Sequence, residues 1–365
     1  MQTKLAKYLL LLVFILAGFW AAGRFQGQRK SVYFFAGADE RIRKVGRFFD
    51  GADGQPQVYA PGAYLEFSFS GPNCEVLLED EQRFGRHHNF IVYQIDQQAP
   101  VRLELTRKFN RIILKGGKGN KAHMVRICKA TEAAIGYIRL VGLRCEKLHV
   151  IKAPSVLFEF IGDSITCGNG ADDSKVPFGE GPWYAYHNAY ESYGPLLCRE
   201  LGADWQLSAV SGIGLRSSCC GLRYQMPQVY GFVGFNAYKQ PWPLAQRRQP
   251  NCIFVTLGQN DKLKEANSYE AAYYQFLTQL RNFYPKATLI CCNSPMATLT
   301  EKALQNQSIQ RVLHQFRRTY DANIHFFAYR GIYRSGHDKH PTLAQHRLMK
   351  NELLGFVKIL IQREN

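Results

Sequence analysis

The hydrophobic pattern changes character near the middle of the chain. From about residue 31 to 152, apolar residues come in short runs. "AYLEFSFS" (63–70) alternates, with Tyr64, Phe67 and Phe69 among polar residues. "CEVLLED" (74–80), "NFIVYQID" (89–96), "VRLEL" (101–105), "RIILKG" (111–116), "AHMVRICKA" (122–130) and "GYIRLVGL" (136–143) follow, with Gly, Pro, Asn and Asp between them. Many short strands, regular turn signals and little helix predict an antiparallel β-sandwich.

Beyond Pro154 the period lengthens. "SVLFEFIG" (155–162), "DWQLSAV" (204–210), "NCIFVTLG" (251–258), "ATLICCN" (287–293) and "ANIHFFAY" (322–329) read as buried strands. Between them lie helical patterns at 190–202, 268–284 and 299–320, and a last one at 342–362. Strand alternating with helix over 155–365 predicts an α/β domain, a parallel sheet covered on both faces. Ligands in such sheets sit at the carboxyl ends of the strands. The stretches 167–188 and 213–250 are too long for simple connections and are expected to rim a site.

Residues 1–23 have basic Lys4 and Lys7, a short apolar core from Tyr8 to Trp20, and Ala21-Ala22-Gly23. That is the pattern of a signal peptide or N-terminal anchor, and it predicts an exported protein, periplasmic or secreted. The core is short for a membrane span, which needs ~20 residues. No further membrane contact is expected.

Charge adds a partner class. The chain of 365 residues carries a formal +17, or +15 without Lys4 and Lys7. Its basic residues are scattered and no nucleic-acid motif occurs, so no nucleic-acid partner is expected. A basic balance on an exported protein suits an anionic glycan or surface, and a solvated basic surface is the plainer reading. The ten cysteines include the adjacent pairs Cys219-Cys220 and Cys291-Cys292, but no zinc spacing, and they fix no disulfide connectivity. The oligomeric state is not legible.

Four short blocks carry the candidate chemistry: "GDSIT" (162–166), "SGIG" (211–214), "GQND" (258–261) and "HDKHPT" (337–342). The first three follow strands and the fourth precedes the last helix, so all four face one crevice. Ser164 needs a base to become a nucleophile, and His340 has the pKa range for that base. The Ser164 and Gly212 main-chain N–H groups and the Asn260 amide can serve as oxyanion donors. Each residue also has a structural reading. Ser164 can be a helix N-cap, Gly212 a turn glycine, Asn260 an Asx turn and His340 a surface histidine before Pro341. His337 with His340 could form a metal pair, but a structural zinc needs four ligands and a catalytic one three.

In this order the blocks resemble those of the SGNH, or GDSL-type, hydrolases, which deliver Ser, Gly, Asn and His from four blocks. "GDSITCGNG", residues 188–215, "MPQVY" (226–230) and "HPTLAQHRLM" (340–349) are similar to carbohydrate esterase family 2. So are residues 46–71 and "KATEAAIGYIRLVGL" (129–143), which resemble that family's jelly-roll-like N-terminal domain. The resemblance covers about residues 40–361. It implies a three-layer SGNH α/β/α domain preceded by a β-sandwich, and deacetylation of O-acetylated sugars without metal or cofactor. The superfamily places an Asp three residues before the His. Here position 337 is His337, and Asp338 stands two before His340. Asp338 is therefore the candidate orienting acid, with a main-chain carbonyl as the alternative that some family members use. Trp183, Tyr186 and Trp242, in the long segments, are candidate sugar platforms or loop anchors.

The first reading is thus an exported carbohydrate O-deacetylase working through an acetyl-enzyme. The second is an envelope-glycan or peptidoglycan O-acetylesterase or acetyltransferase of the same fold. The third, from another class, is a non-catalytic glycan-binding protein.

Overall fold

A computed structural model of the chain describes residues 31–117, 121–177, 179–261 and 266–364. The signal or anchor segment expected at 1–23 lies outside them.

The alternating runs of the first half form two antiparallel sheets of six strands each. One orders Phe48–Asp50, Pro56–Val58, Ile138–Cys145, Asn73–Asp80 and Phe109–Lys115, with Tyr33–Ala36 added to Ile138–Cys145. The other orders Lys147–His149, Tyr64–Ser70, Ala122–Lys129, Phe90–Ile95 and Val101–Glu104, with Arg43–Val45 added to Tyr64–Ser70. Leu65, Phe67 and Phe69 of Tyr64–Ser70 point into the core between the sheets, with Val76, Leu78, Val125 and Ile127.

The opposite face of that strand is the surprise. Tyr64, Glu66, Ser68 and Ser70 alternate as a solvent face would, yet all are buried. Their cover comes partly from the second domain and partly from sandwich side chains. Tyr64 meets Trp205 of the second domain with ring centroids 4.2 Å apart, and Glu66 pairs with Arg43 and Arg126.

In the second domain we number strands and helices separately. β1 (Leu157–Gly162), β2 (Asp204–Ala209), β3 (Cys252–Thr256), β4 (Thr288–Cys292) and β5 (Ile324–Phe327) form one parallel sheet in the order β2-β1-β3-β4-β5. α1 (Tyr193–Leu201) and α4 (Leu343–Glu364) pack together on one face, burying Leu197, Cys198, Met349 and Leu353. α2 (Ala266–Phe283) and α3 (Leu299–Thr319) cover the other with Tyr273, Phe276, Leu277, Ile309, Val312 and Phe316. Local signals set the helix ends: Thr298 and Glu301 form a capping box on α3, and α1 stops at Gly202 with φ 65°. The strand order reverses at β1, which opens a crevice between the carboxyl ends of β1 and its neighbours.

Arg47 locks the two domains together. It leaves the sandwich next to Gly46 and is fully buried in the second domain, where its Nε donates to Ser208 Oγ (2.9 Å) and its Nη1 to the Tyr230 carbonyl (2.6 Å). Its guanidinium lies 3.6 Å from Glu159 of β1 and packs on the rings of Tyr230, Phe235 and Trp242. Trp242 is thus 5% exposed and beneath the sheet, an anchor of the 213–250 segment, not the sugar platform that its loop position suggested. Breaking a buried ion pair from one side costs about 3–5 kcal/mol. Arg47→Met should therefore lower the unfolding free energy by about that amount in urea titration, and Arg47→Met with Glu159→Gln should recover much of it.

Candidate active site

Ser164 lies just past β1, Gly212 past β2 and Asn260 past β3, so three strand ends present them to one crevice. After Gly162 the chain folds into consecutive turns. Cys167 N–H donates to Asp163 O and Asn169 N–H to Ser164 O, each at 3.0 Å, while Asp163 Oδ1 accepts from Ile165 N–H at 3.0 Å. No helix follows directly, so Ser164 caps none; α1 begins only at Tyr193. Gly170, with φ +74°, shows why this turn needs glycine: a Cβ there would stand 2.9 Å from the His340 Cβ.

His340 follows a single 3-10 turn, His337–Lys339, and precedes α4. Its Nε2 is 2.8 Å from Ser164 Oγ. Ser164 and His340 are each 8% exposed. The other ring nitrogen, Nδ1, is 3.0 Å from the main-chain carbonyl of Asp338. This corrects the assignment of Asp338 as the orienting acid: its carboxylate makes no hydrogen bond to the ring. The reason is backbone geometry. Asp338 and Lys339 have φ of 49° and 58°, which turns the Asp338 carbonyl toward His340 and leaves the residue itself exposed. Burial lowers the His340 pKa from its usual 6.5, and the Asp338 charge partly opposes this. The imidazole is therefore neutral, and able to accept a proton, at pH 7.

Gly212 takes φ +79°, and a Cβ there would approach Cys219 Sγ to 3.1 Å. Cys219 N–H donates to the Gly212 carbonyl (2.8 Å), and Cys219 is disulfide-bonded to Cys220. The Ser164 and Gly212 N–H groups donate to no other described residue. Asn260 Nδ2 donates to the Ile213 carbonyl (2.9 Å) and lies 3.3 Å from Asp163 Oδ2. Burial, with the nearby Asp261 charge, pushes the Asp163 carboxyl up to about 7. Asp261 accepts from the N–H groups of Leu215 (3.0 Å), Arg216 (2.7 Å) and Ser217 (2.9 Å), a structural duty that holds the 211–217 loop.

The remaining aromatics separate. Trp183 is 46% exposed and stands edge-on to Tyr184 and His187. Tyr186 is 1% exposed, donates to the Glu180 carbonyl and lies 4.1 Å from the His337 ring. It backs the His340 turn and presents no face to a sugar. Its position in "PWYAYHN" gave no sign of that.

Several neighbours had no motif to reveal them. Asn169 Nδ2 lies 3.5 Å from His340 Nε2, its only signal being its place between two glycines. Arg102 of the sandwich donates to the carbonyls of Ala185 (2.6 Å) and His187 (2.9 Å). Glu132, also from the sandwich, accepts from Ser211 N–H at 2.8 Å. His187 is fully buried, which holds its pKa near 3. A cavity of about 570 Å³ opens beside the turn, between the domains, and is walled by Arg102, Gly170, Asp172, Asn188, Thr342 and Arg347.

Residues 44–154 match the carbohydrate esterase 2 N-terminal family, and residues 160–348 match the GDSL-like lipase/acylhydrolase family. An acetylxylan esterase / glucomannan deacetylase of Cellvibrio japonicus is 27% identical over 346 residues, covering 91% of this chain and 92% of the relative. A cellulase/esterase, CelE, of Acetivibrio thermocellus is 26% identical over 334 residues, or 86% of this chain; the chain spans 39% of its length. Among solved structures, a family two carbohydrate esterase from Cellvibrio japonicus superimposes with a TM-score of 0.82 at 24% identity, covering 92% of this chain and 99% of the other. One from Clostridium thermocellum, in complex with cellohexaose, gives 0.78 at 25% identity over 88% and 99%.

Two outcomes are expected from the His340 geometry. Asp338→Asn, which tolerates the left-handed backbone, should leave plateau kcat within about threefold, whereas loss of an orienting carboxylate would cost about 10⁴-fold. The acid limb of kcat/KM against pH should have its midpoint below 6.5 and should move further down in Asp338→Asn, because that charge raises the His340 pKa.

Proposed function

We infer the activity from the family to which this chain belongs, the GDSL-like lipase/acylhydrolases, here with a carbohydrate esterase 2 N-terminal domain ahead of the hydrolase: the protein is a serine esterase that removes acetyl groups from O-acetylated glycans. The observation that carries this reading is the 2.8 Å contact between Ser164 Oγ and His340 Nε2. His340 is held by its Nδ1 on the Asp338 carbonyl, which leaves the Nε2 lone pair for the serine proton.

The steps follow from that pair. Ser164 Oγ attacks the acetyl carbonyl carbon as His340 takes its proton. The carbonyl oxygen becomes an oxyanion, received by the N–H groups of Ser164 and Gly212, which have no other partner among the described residues. Asn260 joins them by exchanging its long 3.3 Å contact with Asp163 for the oxyanion. The C–O bond to the sugar then breaks, the sugar oxygen takes the proton from His340, and an acetyl-Ser164 ester remains. A water, deprotonated by His340, attacks this ester; the acyl C–O bond to Ser164 breaks, Ser164 Oγ takes the proton back from His340, and acetate leaves. No step calls for a metal or cofactor.

The glycan substrate is supported by the relatives, named for acetylxylan and glucomannan deacetylation, and by the neighbour solved with cellohexaose. The formal charge of +15 without Lys4 and Lys7 favours an anionic, O-acetylated envelope glycan over a neutral xylan, and the basic-apolar segment 1–23 supports export to meet it. Of the three candidate aromatics Trp183, Tyr186 and Trp242, Trp183 is the exposed one and supports a place for a sugar ring.

The test measures acetate released from 4-nitrophenyl acetate and from neutral and anionic acetylated glycans. Folded Ser164→Ala should lose about 10⁴-fold or more in kcat on each. Turnover of the anionic glycan should fall as salt rises while that of the neutral one holds. An acceptor glycan that gains acetyl groups would redirect the reading to transfer. Glycan binding without any ester cleavage would replace it with a binding protein.

A further inference from the structure

We propose that Glu132 of the sandwich domain is a positioning residue for the oxyanion loop, fixing Ser211 so that the next peptide presents the Gly212 N–H to the reacting carbonyl. The proposal rests on the serine-esterase reading and extends it to a residue outside the hydrolase domain.

Glu132 lies in the turn after the strand Ala122–Lys129, and its side chain is 1% exposed. Its Oε2 accepts from Ser211 N–H at 2.8 Å, and the Cys167 thiol approaches the same oxygen at 3.9 Å. Ser211 directly precedes Gly212, and Cys167 belongs to the Ser164 turn. One carboxylate oxygen therefore touches both segments that carry the proposed oxyanion donors. Downstream, Asp261 accepts three N–H groups of the same loop. The 211–217 loop is suspended between two buried carboxylates, one from each domain.

The turn that carries Glu132 is itself braced. Lys129 is buried, and its Nζ donates to the carbonyls of Thr131 (2.7 Å) and Glu132 (3.0 Å). The Ala189 N–H donates to the Ala130 carbonyl (3.0 Å), tying the turn to the hydrolase domain from the other side. Burial lowers the Lys129 pKa to about 7 and raises that of Glu132. A buried carboxylate is costly, and a well-aligned main-chain N–H is what such a group is kept for. Gly212, free of a side chain and at positive φ, has little stiffness of its own, so its two peptides are held by contacts, the Cys219 N–H on its own carbonyl and Glu132 on the residue before it.

The experiment compares kcat and KM of the full-length wild type, Glu132→Gln and Glu132→Asp on 4-nitrophenyl acetate, with thermal unfolding alongside. Glu132→Gln keeps an acceptor oxygen at the same reach and should stay within about tenfold of wild-type kcat. Glu132→Asp keeps the charge but withdraws it by a methylene, and should lose about 10²-fold in kcat, the size of one displaced oxyanion donor. KM should change less than about threefold in both, as expected for a contact made only in the transition state. Any other order overturns the proposal. Asp above Gln would mean that charge, not the acceptor, is needed, and equal values would mean a packing role or none. Should Glu132→Asp not fold, a folded Glu132→Gln with kcat more than about 10²-fold down would overturn it alone. A wild type without Ser164-dependent turnover on any ester would remove the esterase reading itself, and this proposal with it.

Discussion

The structure depends on one constraint: polar groups buried in each domain find their partners in the other. Arg47 of the sandwich meets Glu159 and Ser208 beneath the parallel sheet. Trp205 of β2 donates its indole N–H to the Gly62 carbonyl at 2.8 Å. Arg102 holds two carbonyls of the 183–188 segment, and Glu132 holds Ser211. A buried donor or acceptor left without its partner costs about 1–3 kcal/mol, more when charged. The interface is therefore set to a single register, because a small slip would orphan several such groups at once. The Ser164–His340 contact, between residues 176 apart in sequence, inherits its placement from that register.

Where local physics decides, the sequence was readable. The buried runs at 155–162, 251–258 and 287–293 became β1, β3 and β4, because apolar β-branched and aromatic runs fit a parallel sheet covered on both faces. The last helix, expected over 342–362, runs Leu343–Glu364. The blocks that carry Ser164, Gly212, Asn260 and His340 stand at strand or helix ends, as their turn residues implied. The sandwich was legible as a class, although its short strands Arg43–Val45, Phe48–Asp50 and Pro56–Val58 gave too few alternations to register.

What failed to show in the sequence is what tertiary contact decides. Alternation at Tyr64–Ser70 predicts one dry face, and the structure has two, because Trp205 of the second domain covers Tyr64 while Arg43, Arg126 and His149 of the sandwich close over Glu66 and Ser70. Trp242 and Tyr186 sit in segments of loop composition yet are buried, one over a guanidinium and one against a histidine ring. Asp338 is the sharpest case. Its side chain suggested an acid, but its positive φ gives the task to its carbonyl, and backbone dihedrals leave no trace in residue type when the residue is Asp. Glu132 was invisible for a related reason: its partner lies 79 positions away, in a different domain.

The doubly buried sheet has a consequence for synthesis. A chain made from its N-terminus completes the sandwich while Trp205, β1 and the helices are still to come, and domains fold as they emerge. The face that will seat Trp205 must then stand in water for a time. An apolar face would be a hazard there, because transiently exposed hydrophobic surface aggregates. This one mixes Tyr64, Val92 and Cys128 with Glu66, Ser68 and Ser70, all buried in the finished molecule. The polar residues that look out of place in the completed interior make that face less apolar while it waits.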